Sequence, residues 1–253
     1  MNFLAHALLS GPDPALRVGG LIGDFVKGPL PGALPANIAA GVALHRRIDG
    51  YADAHPTFRR SCARVGPARR RFAGVMVDMF YDHFLARHWA SFSDEALDTF
   101  AAASYRLLSD HGHLLSESNR AMVAAMRRHD WLVSYRSAAT IGYALDRMSL
   151  RLRRQPNALP GALAELRGSY PQFEADFLEF FPEAQVFSAT FSPAREAAAT
   201  VSDLTDALSA SASSSLSGIE ARCPVILCID KNAADKAEDA GRLDVAVTSC
   251  DWV

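Results

Sequence analysis

Residues 75–89 read VMVDMFYDHFLARHW and place Asp78, Asp82 and His83 in apolar company. On a helix, Asp78 and Asp82 stand four residues apart on one face, and His83 lies about 100° round from Asp82. Two carboxylates on one face repel unless a cation neutralises them; the competing reading is a pair of surface carboxylates beside a satisfied core histidine. A second set lies in HRRID, where His45 and Asp49 share the same four-residue spacing, which lets two side chains reach one ion. Arg46 and Arg47 project to other faces, where a guanidinium fork suits phosphate, or they belong to an ordinary charged helix face. His6, in NFLAHALL, is either a ligand or a hydrogen-bonded core histidine. Asp24, in LIGDFV, is a carboxylate among apolar residues that needs a partner, or a loop residue capping a turn. Together these imidazoles and carboxylates suit Mn, Fe, Zn or Mg, and mixed N/O sites commonly serve phosphoester hydrolysis.

Positioning these groups requires helices. Residues 1–10 read as a short helix, and 11–35 as a Gly- and Pro-rich loop. Residues 35–54 follow, with Ile38, Val42, His45 and Asp49 on one face. Residues 58–90 read as helix interrupted at Gly66-Pro67. Residues 93–112 form a helix opened by Ser93, with Asp94 and Glu95 in its first turn. Residues 119–128, 130–154 and 159–181 complete the set. β-Branched alternation is scarce, so the fold class is all-α. The dipeptide His129-Asp130 is literally that of the HD hydrolases, but Asp130 reads better as a helix N-cap and His129 as the end of the preceding helix.

The character changes after Pro182. Residues 194–218 are rich in Ala and Ser, which suggests a linker or disorder. Residues 224–230, PVILCID, form an isolated strand candidate. The reading is a helical domain over 1–185 and a poorly structured extension over 186–253. Residues 1–180 carry 21 basic against 17 acidic side chains, a balance of +4, and residues 181–253 carry 5 against 11, a balance of −6. Nearly all the basic residues of the first part are Arg, which favours an acidic or phosphorylated partner. No apolar run approaches the roughly 20 residues of a membrane span, and the N-terminus lacks the basic start of a secretory signal. A cytoplasmic location is therefore expected. Cys62, Cys223, Cys228 and Cys250 have no paired C-x-x-C spacing, so neither a zinc knuckle nor a disulfide framework is indicated. Phosphate-loop and serine-hydrolase signatures are missing, and no nucleic-acid module is recognisable.

The segments MNFLAHALLS, GGLIGDFVKG, GVALHRRIDGYADAHP and VMVDMFYDHFLARHW, with WLVSYRS downstream, together resemble the acyl carrier protein phosphodiesterase family over about residues 1–185. The resemblance implies a compact, HD-phosphohydrolase-like helical bundle that depends on a divalent metal, with Mn²⁺ favoured and Mg²⁺ or Fe²⁺ as alternatives. It implies removal of the 4′-phosphopantetheine arm from holo-acyl carrier protein. Carried over, it makes Asp24, Asp82 and His83 central to the metal site, with His6, His45, Asp49 and Asp78 as further ligands or supporting groups. In the mechanism that follows, a metal-activated water attacks phosphorus in line, Asp78 orients it, and Arg46 or Arg47 neutralises the phosphate oxygens. Arg69, Arg70 and Arg71, with Arg151, Arg153 and Arg154, are candidate docking patches for an acidic carrier protein. Two rival readings stand beside this one: a phosphohydrolase of nucleotides or other small phosphoesters, and a non-catalytic helical partner-binding protein.

Overall fold

The computed structural model describes residues 1–152 and 156–192. Arg153, Arg154, the Ala/Ser-rich segment and the strand candidate at 224–230 lie outside the described residues. The described part is all-α, with no strand in it. Its helices are α1 (Phe3–Leu9), α2 (Pro14–Ile22), α3 (Ala36–Ala54), α4 (Pro56–Arg64), α5 (Ala73–Arg87), α6 (Leu97–Asp110), α7 (Glu117–Arg128), α8 (Trp131–Ser134), α9 (Ala138–Ser149), α10 (Leu163–Gly168) and α11 (Tyr170–Ala189). No helix among the described residues is long and apolar enough to cross a membrane.

Helix α5 is the central post. Met76, Val77, Phe80, Tyr81, Phe84 and Leu85 are all fully buried, which covers it nearly all round rather than on one stripe. Against it α11 lays Phe173, Phe177, Phe180 and Phe181. Tyr81 meets Phe177 edge-on at 5.5 Å, and Phe80 meets Phe173 likewise at 5.2 Å. This aromatic seam carries α11 straight through Pro182, because Ala184 and Ser188 beyond it are also buried. The packing offsets the roughly 3 kcal/mol that an interior proline costs. Asp176, in the same helix, is buried against Ser61 of α4 and receives Arg60 at 2.8 Å and Arg64 at 2.9 Å. That network ties α4 to α11.

Several expected boundaries shift. The Gly-rich stretch 11–35 contains α2, started by Asp13, whose side chain accepts from the amides of Ala15 and Leu16, with Pro14 in the first helical position. Gly19 of α2 and Gly41 of α3 are packing devices: a Cβ on Gly19 would lie 2.6 Å from Gly41 Cα, and one on Gly41 would lie 2.5 Å from the Leu16 carbonyl. The backbones of α2 and α3 therefore nearly touch. Helix α6 starts at Leu97, not at Ser93. The Ser93 hydroxyl accepts from the Glu95 amide in a local turn, while the Trp89 indole donates to the Glu95 carbonyl. Residues 130–154 break into α8 and α9. Asp130 stands at the N-cap of α8 without a side-chain capping bond, because it adopts the left-handed conformation at φ 43°.

Candidate metal centre

The close seam between α2 and α3 delivers Asp24, in a short 3₁₀ turn at Gly23–Phe25, to the side of His45 on α3. Gly23 makes the approach possible, since a Cβ there would lie 2.5 Å from His45 Nδ1. His45 Nδ1 donates to the Gly20 carbonyl at 2.8 Å, which orients Nε2 toward Asp24 Oδ1 at 3.6 Å and Asp49 Oδ2 at 3.3 Å. Asp49, one turn further along α3, turns its other oxygen to His6 Nε2 at 3.1 Å. The His6 ring stacks on that of His45, with centroids 3.6 Å apart. Donor atoms of His6, His45 and Asp49 all lie within 4.8 Å of one another.

The charges in this cluster are set by burial and by one another. Burial, helped by the charge of His45, lowers His6 to about 4, so its ring is neutral. Its Nε2 also faces the Met1 carbonyl at 3.1 Å, which makes Nε2 the protonated nitrogen. His6 Nδ1 is then a buried lone pair with no hydrogen-bond partner. Burial also opposes charge on His45, but hydrogen bonds that its ring donates to Asp24 and Asp49, with their negative charges, outweigh it and raise that ring to about 9. Asp24 is held below its ordinary value because His45 outweighs its burial. Asp49 is held far lower, where the Met1 ammonium and both imidazoles outweigh its burial. The Asp49 side chain keeps 34% of its surface, so the cluster opens to solvent there.

These residues fit a divalent cation. Two imidazoles and two carboxylates form the mixed N/O set that Mn, Fe, Zn and Mg accept. Ligand atoms at about 2.0–2.2 Å from a shared ion lie at most roughly 4.4 Å apart, so the donor atoms of His6, His45 and Asp49 need to draw together by only a few tenths of an ångström. The orphaned Nδ1 of His6 is the kind of buried acceptor that such an ion satisfies.

The other expected site residues stand elsewhere. Asp78 pairs with the Met1 ammonium at 2.8 Å, which also touches Asp49 at 3.0 Å. Burial raises Asp78 to about 6 despite that ammonium. The structure does not bring Asp82 into the cluster: its two oxygens accept from the amides of Leu4 at 2.9 Å and Ala5 at 3.0 Å, at the start of α1. Nor does it bring His83 there. His83 Nδ1 donates to the Tyr135 carbonyl at 2.8 Å, and Nε2 faces the Tyr170 hydroxyl at 2.9 Å. Burial lowers His83. Arg46 is turned to the loop after Asp24, donating from Nη2 to the carbonyls of Val26 at 3.1 Å and Gly28 at 3.0 Å. Arg47 sits 5.8 Å over the Phe187 ring and 5.6 Å over Phe191.

The proposed docking arginines are largely engaged within the fold. Arg69 meets Glu165 at 3.2 Å and the Pro160 carbonyl at 3.0 Å. Arg70 donates to the Val65 carbonyl, Arg71 lies over Phe72, and Arg151 is exposed. Sequence reasoning missed the parts played by Gly23, the Gly20 carbonyl, Tyr135 and Tyr170. Only the glycines left a trace, as an unusual density of Gly before Asp24.

Comparison with known proteins agrees with the motif series. The family profile described as acyl carrier protein phosphodiesterase matches residues 1–184. A protein of that name from Photorhabdus laumondii is 31% identical over 189 residues, covering 72% of this chain and 92% of its own length. Others of the same name are 31% identical in Pectobacterium atrosepticum, over 75% of this chain and 98% of the relative, and 33% identical in an Enterobacter species, over 74% and 96%. No solved structure matches the chain. With the profile spanning the whole set of helices that carries the cluster, the chain belongs to the acyl carrier protein phosphodiesterase family.

Proposed function

We propose that this protein is a metal-dependent hydrolase that cleaves the phosphodiester between 4′-phosphopantetheine and the serine of holo-acyl carrier protein, leaving the apo protein. The observation that carries this reading is the cluster of His6, Asp24, His45 and Asp49 inside the span matched by the family. Those four side chains would hold a divalent cation, with Mn²⁺ favoured. When bound, the cation supplies Lewis acidity and an activated water.

The protein's own residues do the rest. The Gly20 carbonyl and the stacked His6 ring keep His45 from turning. Asp49 bridges both imidazoles and leaves the cluster open on the side from which a phosphodiester approaches. Arg46 and Arg47, exposed on the helix that carries His45 and Asp49, give that approach its positive potential. Arg46 also fixes the loop after Asp24 by gripping two of its carbonyls.

Mass spectrometry of holo-acyl carrier protein after incubation with this protein and Mn²⁺ tests the reading, with nucleotides as parallel substrates. Loss of the phosphopantetheine mass from the carrier is expected, abolished by His45→Ala and by Asp49→Ala. Full turnover by both folded variants would refute the site, and cleavage of nucleotides alone would refute the substrate.

A further inference from the structure

Helix α1 has seven residues, too few to hold itself in water, and its N-cap residue Asn2 makes no side-chain capping bond. The capping function comes instead from 78 positions along the chain. Asp82, with no exposed surface, accepts the Leu4 amide on one oxygen at 2.9 Å and the Ala5 amide on the other at 3.0 Å. A carboxylate is well placed there, at the positive end of a helix whose first amides have no partner of their own. The next residue is His6, whose ring stacks on His45 and meets Asp49 at 3.1 Å.

We propose that Asp82 is a positioning residue for the candidate metal centre, fixing the start of α1 against α5 and so the place of the His6 ring. Both of its oxygens are committed to amides, which leaves its contribution indirect. The inference rests on the metal-binding reading given above for what His6 does, but the placement of the ring can be tested without any metal.

Because Asp82 acts through His6, the two residues must fail together. Asp82→Ala is expected to weaken Mn²⁺ binding about 10- to 100-fold, the range for partners that orient a ligating histidine. In a His6→Gln background the same change is expected to matter less than about twofold, since the ring it positions is already gone. Equal losses in both backgrounds would show an independent ligand or a general loss of structure and would overturn the proposal. Asp82→Asn, which keeps the shape and one acceptor, serves if Asp82→Ala does not fold. In metal-free protein, NMR of the imidazoles provides the second measurement. The His6 and His45 ring resonances should shift together in Asp82→Asn, while those of His88 and His111 stay in place. Unmoved His6 resonances in the folded variant would equally overturn the proposal. A wild-type protein that binds no Mn²⁺ would instead refute the metal reading and leave the ring measurement to decide this one.

Discussion

Replacing Gly23 with Ala puts a methyl group where the His45 ring already lies. The new Cβ would stand 2.5 Å from Nδ1 and 2.6 Å from Cδ2, whereas carbon contacts are comfortable near 3.5 Å, so the ring must withdraw by about 1 Å. It cannot do so freely, because Nδ1 donates to the Gly20 carbonyl at 2.8 Å and the far face lies on His6. Overpacking costs about 1–3 kcal/mol, and losing a buried hydrogen bond about the same again, so a loss of about 2–6 kcal/mol is expected. A 1 Å displacement is half the length of a metal–imidazole bond of about 2.0 Å, so Mn²⁺ affinity should fall with stability. Urea unfolding of the metal-free protein and calorimetric titration with Mn²⁺ read the two effects separately. Gly50→Ala is the control: it lies in α3, the helix of His45, with nothing within 4 Å of its Cβ, and should stabilise by about 0.5–1 kcal/mol. A Gly23→Ala protein with the wild-type urea midpoint and wild-type affinity would refute the claim that this glycine makes room for His45.

Two further outcomes follow from the charges. The folded protein keeps a proton on His45 up to about pH 9, against 6.5 for the free ring, so its stabilisation is whole below pH 6.5 and is lost as the pH rises to 9. At about 1.36 kcal/mol per pH unit this is roughly 3 kcal/mol in metal-free protein; the decline in unfolding free energy between pH 6.5 and 9 should shrink by that share in His45→Asn, and an unchanged slope would contradict the assignment. Asp176→Ala removes the acceptor of Arg60, Arg64 and Ser61 and should cost about 1–3 kcal/mol by urea unfolding, without changing Mn²⁺ affinity.

The sequence makes local pairs legible and distant partners invisible. His45 and Asp49 stand on one face because helix spacing dictates it, and the structure brings them to 3.3 Å. Asp78 and Asp82 have the same spacing, which suggests a shared cation. Each instead has a separate partner in the first five residues, the Met1 ammonium for one and two amides for the other. Nothing in the spacing of one helix can disclose a donor 78 positions away. The glycines before Asp24 show the opposite failure. They look like loop residues because glycine disfavours helix, yet Asp13-Pro14 starts a helix there, and Gly19 is retained because α3 passes too close for a side chain. Helix α11 continues through Pro182 for the complementary reason: buried aromatic packing outweighs a local preference that sequence reasoning weighs alone.

The arrangement of α1 also bears on the order in which the site comes into being as the chain is synthesised. His6, Asp24, His45 and Asp49 all lie within residues 1–49, so every candidate donor is translated first. The helix that holds the earliest of them is secured by Asp82, on a segment translated later. A nascent chain of 49 residues therefore carries the donors without their geometry, since a seven-residue helix has little persistence of its own. The arrangement of His6 against His45 and Asp49 is therefore complete only once Asp82 of α5 has met the start of α1.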